Sequence, residues 1–194
     1  MKLFDRSGGV PAEVRSRARL PRGEKVLASA VAADGTWVLG TRGFLAVVPL
    51  SVEPVEITTD PRLIPWEQVE DAAWEQETTR LRITEIGQYG EPRPAYDLVM
   101  DDHPGLLLQL VRERVTASVV LQRWVPVRGK RGVTVIGRRS PAGGPIAWMH
   151  AYDRGLDPDD PEVVVVADLA LLQAQAEVGD DAPDPAANQT PHSI

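Results

Sequence analysis

The sequence predicts an α+β fold: an antiparallel β-barrel or sandwich of about seven short strands capped by one helix, followed by a β-hairpin and a second helix. Three observations point there. Short apolar runs separated by turn residues fill the chain from Glu24 to Met100, a long apolar stripe at helical spacing follows from Leu107, and strand-like then helix-like segments resume at Arg123. Runs joined by two-residue turns must pair antiparallel, because a parallel crossover needs about a dozen residues or more.

The elements follow in order. Residues 1–22 read as an N-terminal arm, with a short helix opening at Pro11-Ala12-Glu13 and ending before Pro21. Arg15, Arg17 and Arg19 stand at every second position and cannot share a helical face, so the arm is expected to be solvated and loosely attached. Val26 to Val31 is the first strand, closed by the Asp34-Gly35 turn. Trp37-Val38-Leu39 is the second, and Phe44 to Val48 the third beyond an Arg42-Gly43 turn. Pro49 to Pro61 reads as a loop with one extended segment. Leu63 to Trp66 is a strand at an edge or strand end, given Pro65. Val69 to Trp74, Leu81 to Glu85 and Tyr96 to Met100 complete the group, with a Gly- and Pro-rich loop over Gln88–Pro94.

Asp101-Asp102-His103-Pro104 has the acids and proline of a helix start. Leu107, Val111, Val115 and Val119 repeat every four residues, with Leu106, Leu110, Ala117 and Leu121 beside them, so one amphipathic helix is expected to reach about Leu121. The β-branched residues Val115 to Val120 are its weakest part, since they suit a strand as well. Residues 23–122 would thus form the main domain. Residues 123–178 would add a hairpin extension and a helix opened by Asp157–Glu162, with Pro161 in its first turn. Residues 179–194, acidic and rich in Pro and Ala without periodicity, read as a disordered tail.

Composition narrows the function. The 194 residues are 43% hydrophobic and 25% charged, ordinary for a globular chain able to bury a core without staples. Having no cysteine excludes disulfides, thiol nucleophiles, thiolate zinc sites and thiol redox chemistry, and suits a reducing cytoplasm. The start of the chain carries no apolar core of a signal peptide. The longest near-continuous apolar stretch, Val163 to Leu172, is interrupted by Asp168 and too short to span a bilayer. The net charge of −7 is segmental: +4 over residues 1–25, −9 over 26–111, +7 over 112–139 and −9 over 140–194.

Three phrases carry a family resemblance: Leu20-Pro21-Arg22-Gly23-Glu24-Lys25-Val26-Leu27, Trp37-Val38-Leu39-Gly40-Thr41-Arg42-Gly43-Phe44-Leu45 and Ile64-Pro65-Trp66-Glu67-Gln68-Val69-Glu70-Asp71-Ala72. With the order of seven strands and then a helix, they resemble bacterial pleckstrin-homology-like (PH-like) domains, and the whole chain looks like an actinobacterial family of about this length. The resemblance covers residues 24–122, roughly half the chain. It implies a small, partly open barrel of two nearly orthogonal sheets with the helix over one end. It also implies a recognition module, without naming a ligand.

Candidate chemistry is sparse. His103 stands at a helix start and His192 in the tail, which leaves His150, near Tyr152 and Asp153, to inspect as a general base. Asp153, Asp157, Asp159, Asp160 and Glu162 cluster like a hard-cation site, but their order does not fit a calcium loop, and helix capping explains them. Gly40–Gly43 and Gly129–Gly132 lack the spacing of a phosphate loop. No catalytic residue, metal ligand or cofactor is assigned. The candidate binding patch is Arg123, Trp124, Arg128, Lys130, Arg131, Arg138 and Arg139, where an aromatic stands among cations. The expectation is a non-enzymatic cytoplasmic adaptor that binds a protein partner or its own copy. The alternative is an RNA- or anionic-lipid-binding protein using residues 112–139.

Overall fold

The structure is a computed structural model and describes residues 9–50, 60–87 and 93–179. It is α+β, with ten strands in three antiparallel sheets and three helices among the described residues. The chain divides into two compact units, Met1–Ala117 and Ser118–Ile194.

In the first unit, β1 (Ala28–Val31), β2 (Trp37–Gly40), β3 (Phe44–Val48) and β4 (Arg62–Pro65) form a four-stranded meander. Gly35 makes the β1–β2 turn at φ 86°, a region that favours a residue without Cβ, and Asp34 Oδ1 accepts the Thr36 amide there at 2.9 Å. A single 3-10 turn, Trp66–Gln68, leads into a second meander of β5 (Val69–Glu75), β6 (Arg80–Glu85) and β7 (Ala95–Val99). The helix α2 (Gly105–Ser118) follows. One core joins both sheets and this helix: Val38, Leu45, Val47 and Ile64 from the first sheet, Val69, Leu81, Ile83 and Leu98 from the second, and Leu107, Leu108, Leu110 and Val111 from α2. Trp66, fully buried, stands where the chain crosses between the sheets. Helix and sheet come close at Gly40, where a Cβ would lie 2.5 Å from Leu110 Cδ2.

Several expectations need correction. The strands do not close into a barrel. The two sheets keep separate ladders: the 3-10 turn interrupts pairing after Pro65 at one corner, and among the described residues the isolated bridge Ala32–Met100 is what joins them at the other. The N-terminal arm is not loose among the described residues. α1 (Ala12–Ala18) is packed by Val10, Val14 and Ala18, at four-residue spacing, against Leu39, Ala46 and Val48 on the sheet face away from the main core. The central strands β2 and β3 are therefore covered on both faces. α2 stops at Ser118, so Val119, Val120 and Leu121 start a strand, as their β-branching allows. Leu106, counted with the apolar side, is 76% exposed.

The second unit holds β8 (Val119–Arg128), β9 (Arg131–Arg139), β10 (Ile146–Tyr152) and α3 (Pro161–Val178). The expected hairpin is thus a three-stranded meander with β9 central. The Gly129-Lys130 turn joins β8 to β9. Asp160 caps α3, its carboxylate accepting the Glu162 amide at 3.0 Å, and Pro161 takes the first turn, where no N–H is needed. Val135 packs with Ala170 and Ala174, flanked by Leu121, Val125 and Trp148, so α3 lies on one face of this sheet. A Cβ on Gly137 would lie 2.8 Å from the Trp148 ring, which places the indole flat over that glycine. Most of the loop over Pro49–Pro61, the loop over Gln88–Pro94 and the tail beyond Gly179 lie outside the described residues.

Candidate functional site

The three phrases behind the family resemblance meet at one turn of the first unit. Glu24 Oε2 accepts the amides of Arg42 and Gly43 at 3.1 and 3.4 Å. Thr41 Oγ1 accepts the Phe44 amide at 3.0 Å, Trp66 Nε1 donates to the Thr41 carbonyl at 3.1 Å, and the Trp66 amide donates to the Gly43 carbonyl at 3.2 Å. A carboxylate of the chain itself thus occupies the amides that a phosphate would need, so the Gly40–Gly43 turn is an architectural device.

The most perturbed ionisable cluster also lies in this unit and ties its two sheets together. Arg62 of β4 grips Glu85 of β6 with both nitrogens, Nε to Oε1 at 3.0 Å and Nη2 to Oε2 at 2.8 Å, and the Tyr96 hydroxyl of β7 donates to Oε1 at 2.9 Å. Burial pushes the Glu85 carboxyl up, but the hydrogen bonds from Arg62 and Tyr96, with the guanidinium charge, outweigh it and hold the group below its ordinary value. Burial and the neighbouring carboxylate push the Tyr96 phenol up to about 12. The Arg62 side chain is 57% exposed while Glu85 is buried, so the pair clamps the two sheets from the surface inward.

In the second unit the predicted patch separates into cations already engaged and one aromatic that is not buried. Arg123 pairs with Glu177 of α3. Arg128 donates from Nε to Glu162 at 2.7 Å and from Nη2 to Asp160 at 3.0 Å, which raises the guanidinium further. Arg131 reaches the Gly155 carbonyl at 3.4 Å, and Arg138 is buried, 3.4 Å from the Ser118 hydroxyl. Arg139 is half-buried and Lys130 lies exposed in the β8–β9 turn. Arg112 and Arg114 belong to α2 in the other unit. Three of these cations, Arg123, Arg128 and Arg131, thus hold α3 and the loop before it to the sheet.

Trp124 differs. Cross-strand partners Trp124, Thr134 and Ala151 share one sheet face, while Arg123, Val135 and His150 share the opposite face, against α3. The indole is 49% exposed yet fixed. Its Nε1 donates to Asp153 Oδ2 at 3.2 Å, and the same oxygen accepts the Gly132 amide at 2.7 Å. A Cβ on Gly132 would lie 2.6 Å from the ring and 2.2 Å from the Val125 carbonyl oxygen, so only glycine leaves room for the indole. In sequence Trp124 stands beside the cation Arg123. Its real partners, Gly132 and Asp153, are distant in sequence and visible only through strand register.

The remaining candidates resolve locally. His150 Nε2 is buried without a hydrogen-bond partner, and the ring lies 6.0 Å from that of Tyr152. Asp157 Oδ1 accepts the Asp159 amide, Asp160 caps α3 and Asp153 holds Trp124. No group of three or more His, Asp or Glu able to hold a metal ion occurs among the described residues. His103 lies edge-on to Trp74, centroids 5.3 Å apart. Among the described residues no helix is long and apolar enough to cross a membrane. No protein-family model, curated protein or solved structure matches the chain.

Proposed function

We propose that this protein is a non-enzymatic cytoplasmic recognition module that binds a protein partner, with a PH-like first unit as scaffold and the Trp124 face of the second unit as the contact. The observation that carries this reading is the way Trp124 is held. A large aromatic half in water, with its rotamer fixed by Asp153 and its ring seated over Gly132, loses little freedom on binding and offers both apolar area and a rigid edge. Such side chains dominate protein–protein contacts. The order of a four-stranded and a three-stranded sheet followed by a helix suits the PH-like plan.

The RNA or anionic-lipid reading is disfavoured by the same unit. Arg123 and Arg128, which it needs in solution, already face three carboxylates. The test is quantitative capture from native cytosol with wild type, Trp124→Ala and Lys130→Ala/Arg131→Ala side by side. The reading expects a protein partner that Trp124→Ala loses and the double variant keeps. A partner retained by Trp124→Ala and lost with the cations would overturn it.

A further inference from the structure

We propose that β10 pairs edge to edge with β10 of a second copy, so that two three-stranded sheets join into one continuous sheet. β10 is an outer strand: among the described residues it pairs with β9 alone, and none of its seven residues is buried. The Asp153 amide donates to the Gly132 carbonyl at 3.0 Å, which fixes the phase of the ladder. Bonded and non-bonded pairs alternate in an antiparallel ladder, so Ala147, Met149 and Ala151 bond to β9. Trp148 and His150 turn their N–H and C=O groups to the open side. Among the described residues no backbone group of any other element meets them there.

Main-chain donors and acceptors at strand spacing call for an extended polypeptide. Such an edge is a template for another chain, and folded proteins guard theirs with charge, proline, bulges or shortness. Every other edge strand here is guarded. β1 has four residues, β4 carries Arg62 and Pro65, β5 has acids and a bulge, and β7 carries Asp97. β8, the far edge of the same sheet, has Arg123, Arg128 and two bulges. It also has Pro126, opposite Gly132 in a non-bonded pair, which withholds an outward donor. β10 has no Lys, Arg, Asp, Glu or Pro and keeps one register with β9 throughout.

This asymmetry selects the occupant. Residues 180–194 hold three prolines and three aspartates and cannot run a ladder along β10. β10 itself is the one edge of the chain that can, since self-pairing sets no like charges against each other. With the two-fold axis at Met149, Trp148 faces His150 of the other copy in a bonded pair and His150 faces its Trp148, which uses every outward group of both residues. α3 packs on β8 and β9, away from this edge. The guarded β8 strands then end the joined sheet, so assembly closes at a dimer instead of growing into a fibre. One strand pair is a small contact beside the roughly 800 Å² per partner of a standard interface, so the dimer is weak and concentration-dependent. Trp124 stands at the other edge and on the other sheet face, so this surface lies beyond the Trp124 contact.

Sedimentation equilibrium of the full chain, from about 1 µM to about 1 mM, should show the average mass rising from the 21.2 kDa monomer toward twice that value. Amide exchange over the same range reads the alternation: Trp148 and His150 should slow as concentration rises, while Ala147, Met149 and Ala151 stay protected throughout. His150→Pro removes an outward donor and leaves the β9 ladder whole. It should raise the dissociation constant about tenfold or more with an unchanged circular dichroism spectrum, since the two-fold axis doubles the lost bond. Met149→Lys sets two cations across the axis and should weaken the dimer at low salt, an effect that added salt reduces. Trp124→Ala should leave the dimer unaltered. A monomer at every concentration, or a dimer in which Trp148 and His150 exchange as fast as in the monomer, overturns the proposal. Loss of the dimer on Trp124→Ala assigns self-association to the other surface. Slowing of Trp148 and His150 only by a foreign protein, on a chain that stays monomeric, gives the edge to that partner and equally overturns pairing with a second copy.

Discussion

Replacing Glu85 by Gln keeps the side-chain volume and removes the charge from the clamp that joins the two sheets of the first unit. The carboxylate accepts three hydrogen bonds, two from Arg62 and one from Tyr96. Bonds to a charged group contribute about 1.5–3 kcal/mol each when buried. Arg62, however, is 57% exposed and recovers water when released, which brings its share nearer to the about 0–1 kcal/mol of a surface pair. Gln can still accept one bond. The expected loss at neutral pH is about 1–2 kcal/mol, which at a urea slope of about 2 kcal/mol/M moves the midpoint by about 0.5–1 M. Urea titration in a Trp124→Phe/Trp148→Phe background reads the first unit, because Trp37, Trp66 and Trp74 then supply the fluorescence. The pH dependence gives the sharper test. A carboxyl held below its unfolded value of about 4.3 contributes fully above that pH and loses its contribution as pH falls through the lowered folded value, so wild type and Glu85→Gln should converge in acid. Tyr96 works in the opposite direction: its contribution is complete below about pH 10 and disappears as pH rises toward about 12, so wild type should lose more stability there than Tyr96→Phe. A Glu85→Gln deficit equal at pH 3 and pH 7, or absent at pH 7, would refute the reasoning.

Three further substitutions probe other joints. Val14→Ala, on the fully buried face of α1, should cost about 1–3 kcal/mol and speed amide exchange in β2 and β3; unchanged exchange would mean that α1 does not dock. Gly132→Ala should destabilise the second unit by about 2–3 kcal/mol or more and shift Trp124 fluorescence, because the new methyl meets a backbone carbonyl that cannot move aside. Thermal melting with the emission spectrum checks both. Asp160→Ala removes the cap of α3 and one partner of Arg128, and should speed amide exchange in the first turn of the helix; unchanged exchange there would show that neither contact holds the helix start.

Much of the fold was legible because its determinants are local. The Asp34-Gly35 turn, the alternation through Leu81 and Ile83, the Asp160-Pro161 cap and the Leu107–Val111 stripe each act within a few residues. The errors arose where tertiary contacts decide. The alternating arginines of α1 suggest a solvated arm, whereas the Val10, Val14, Ala18 spacing supplies the face that docks. The uninterrupted apolar run of β3 was the signal that something covers the second face of the sheet. Val119 to Leu121 are apolar at either period, and pairing with β9 sets their conformation. For the candidate site, position in sequence gave the cations but not their neutralising acids, which are 32 to 54 residues away. The seat of Trp124 depends on register, and the inward stripe of α3 cannot be told from the exposed Val165, Leu169 and Leu172 until one of them is seen packed.

If binding runs through the Trp124 face as proposed, it is apolar and aromatic, because Arg123 and Arg128 are already held in ion pairs. The salt dependence of complex formation tests it most directly, measured for the captured partner between about 0.05 and 0.5 M salt, where screening and counterion release separate charged from apolar binding. The association constant should change by less than about threefold over that range and collapse on Trp124→Ala. A constant that falls by orders of magnitude with salt, and with Lys130, Arg131, Arg138 and Arg139 changed to Ala while Trp124→Ala is silent, would contradict it.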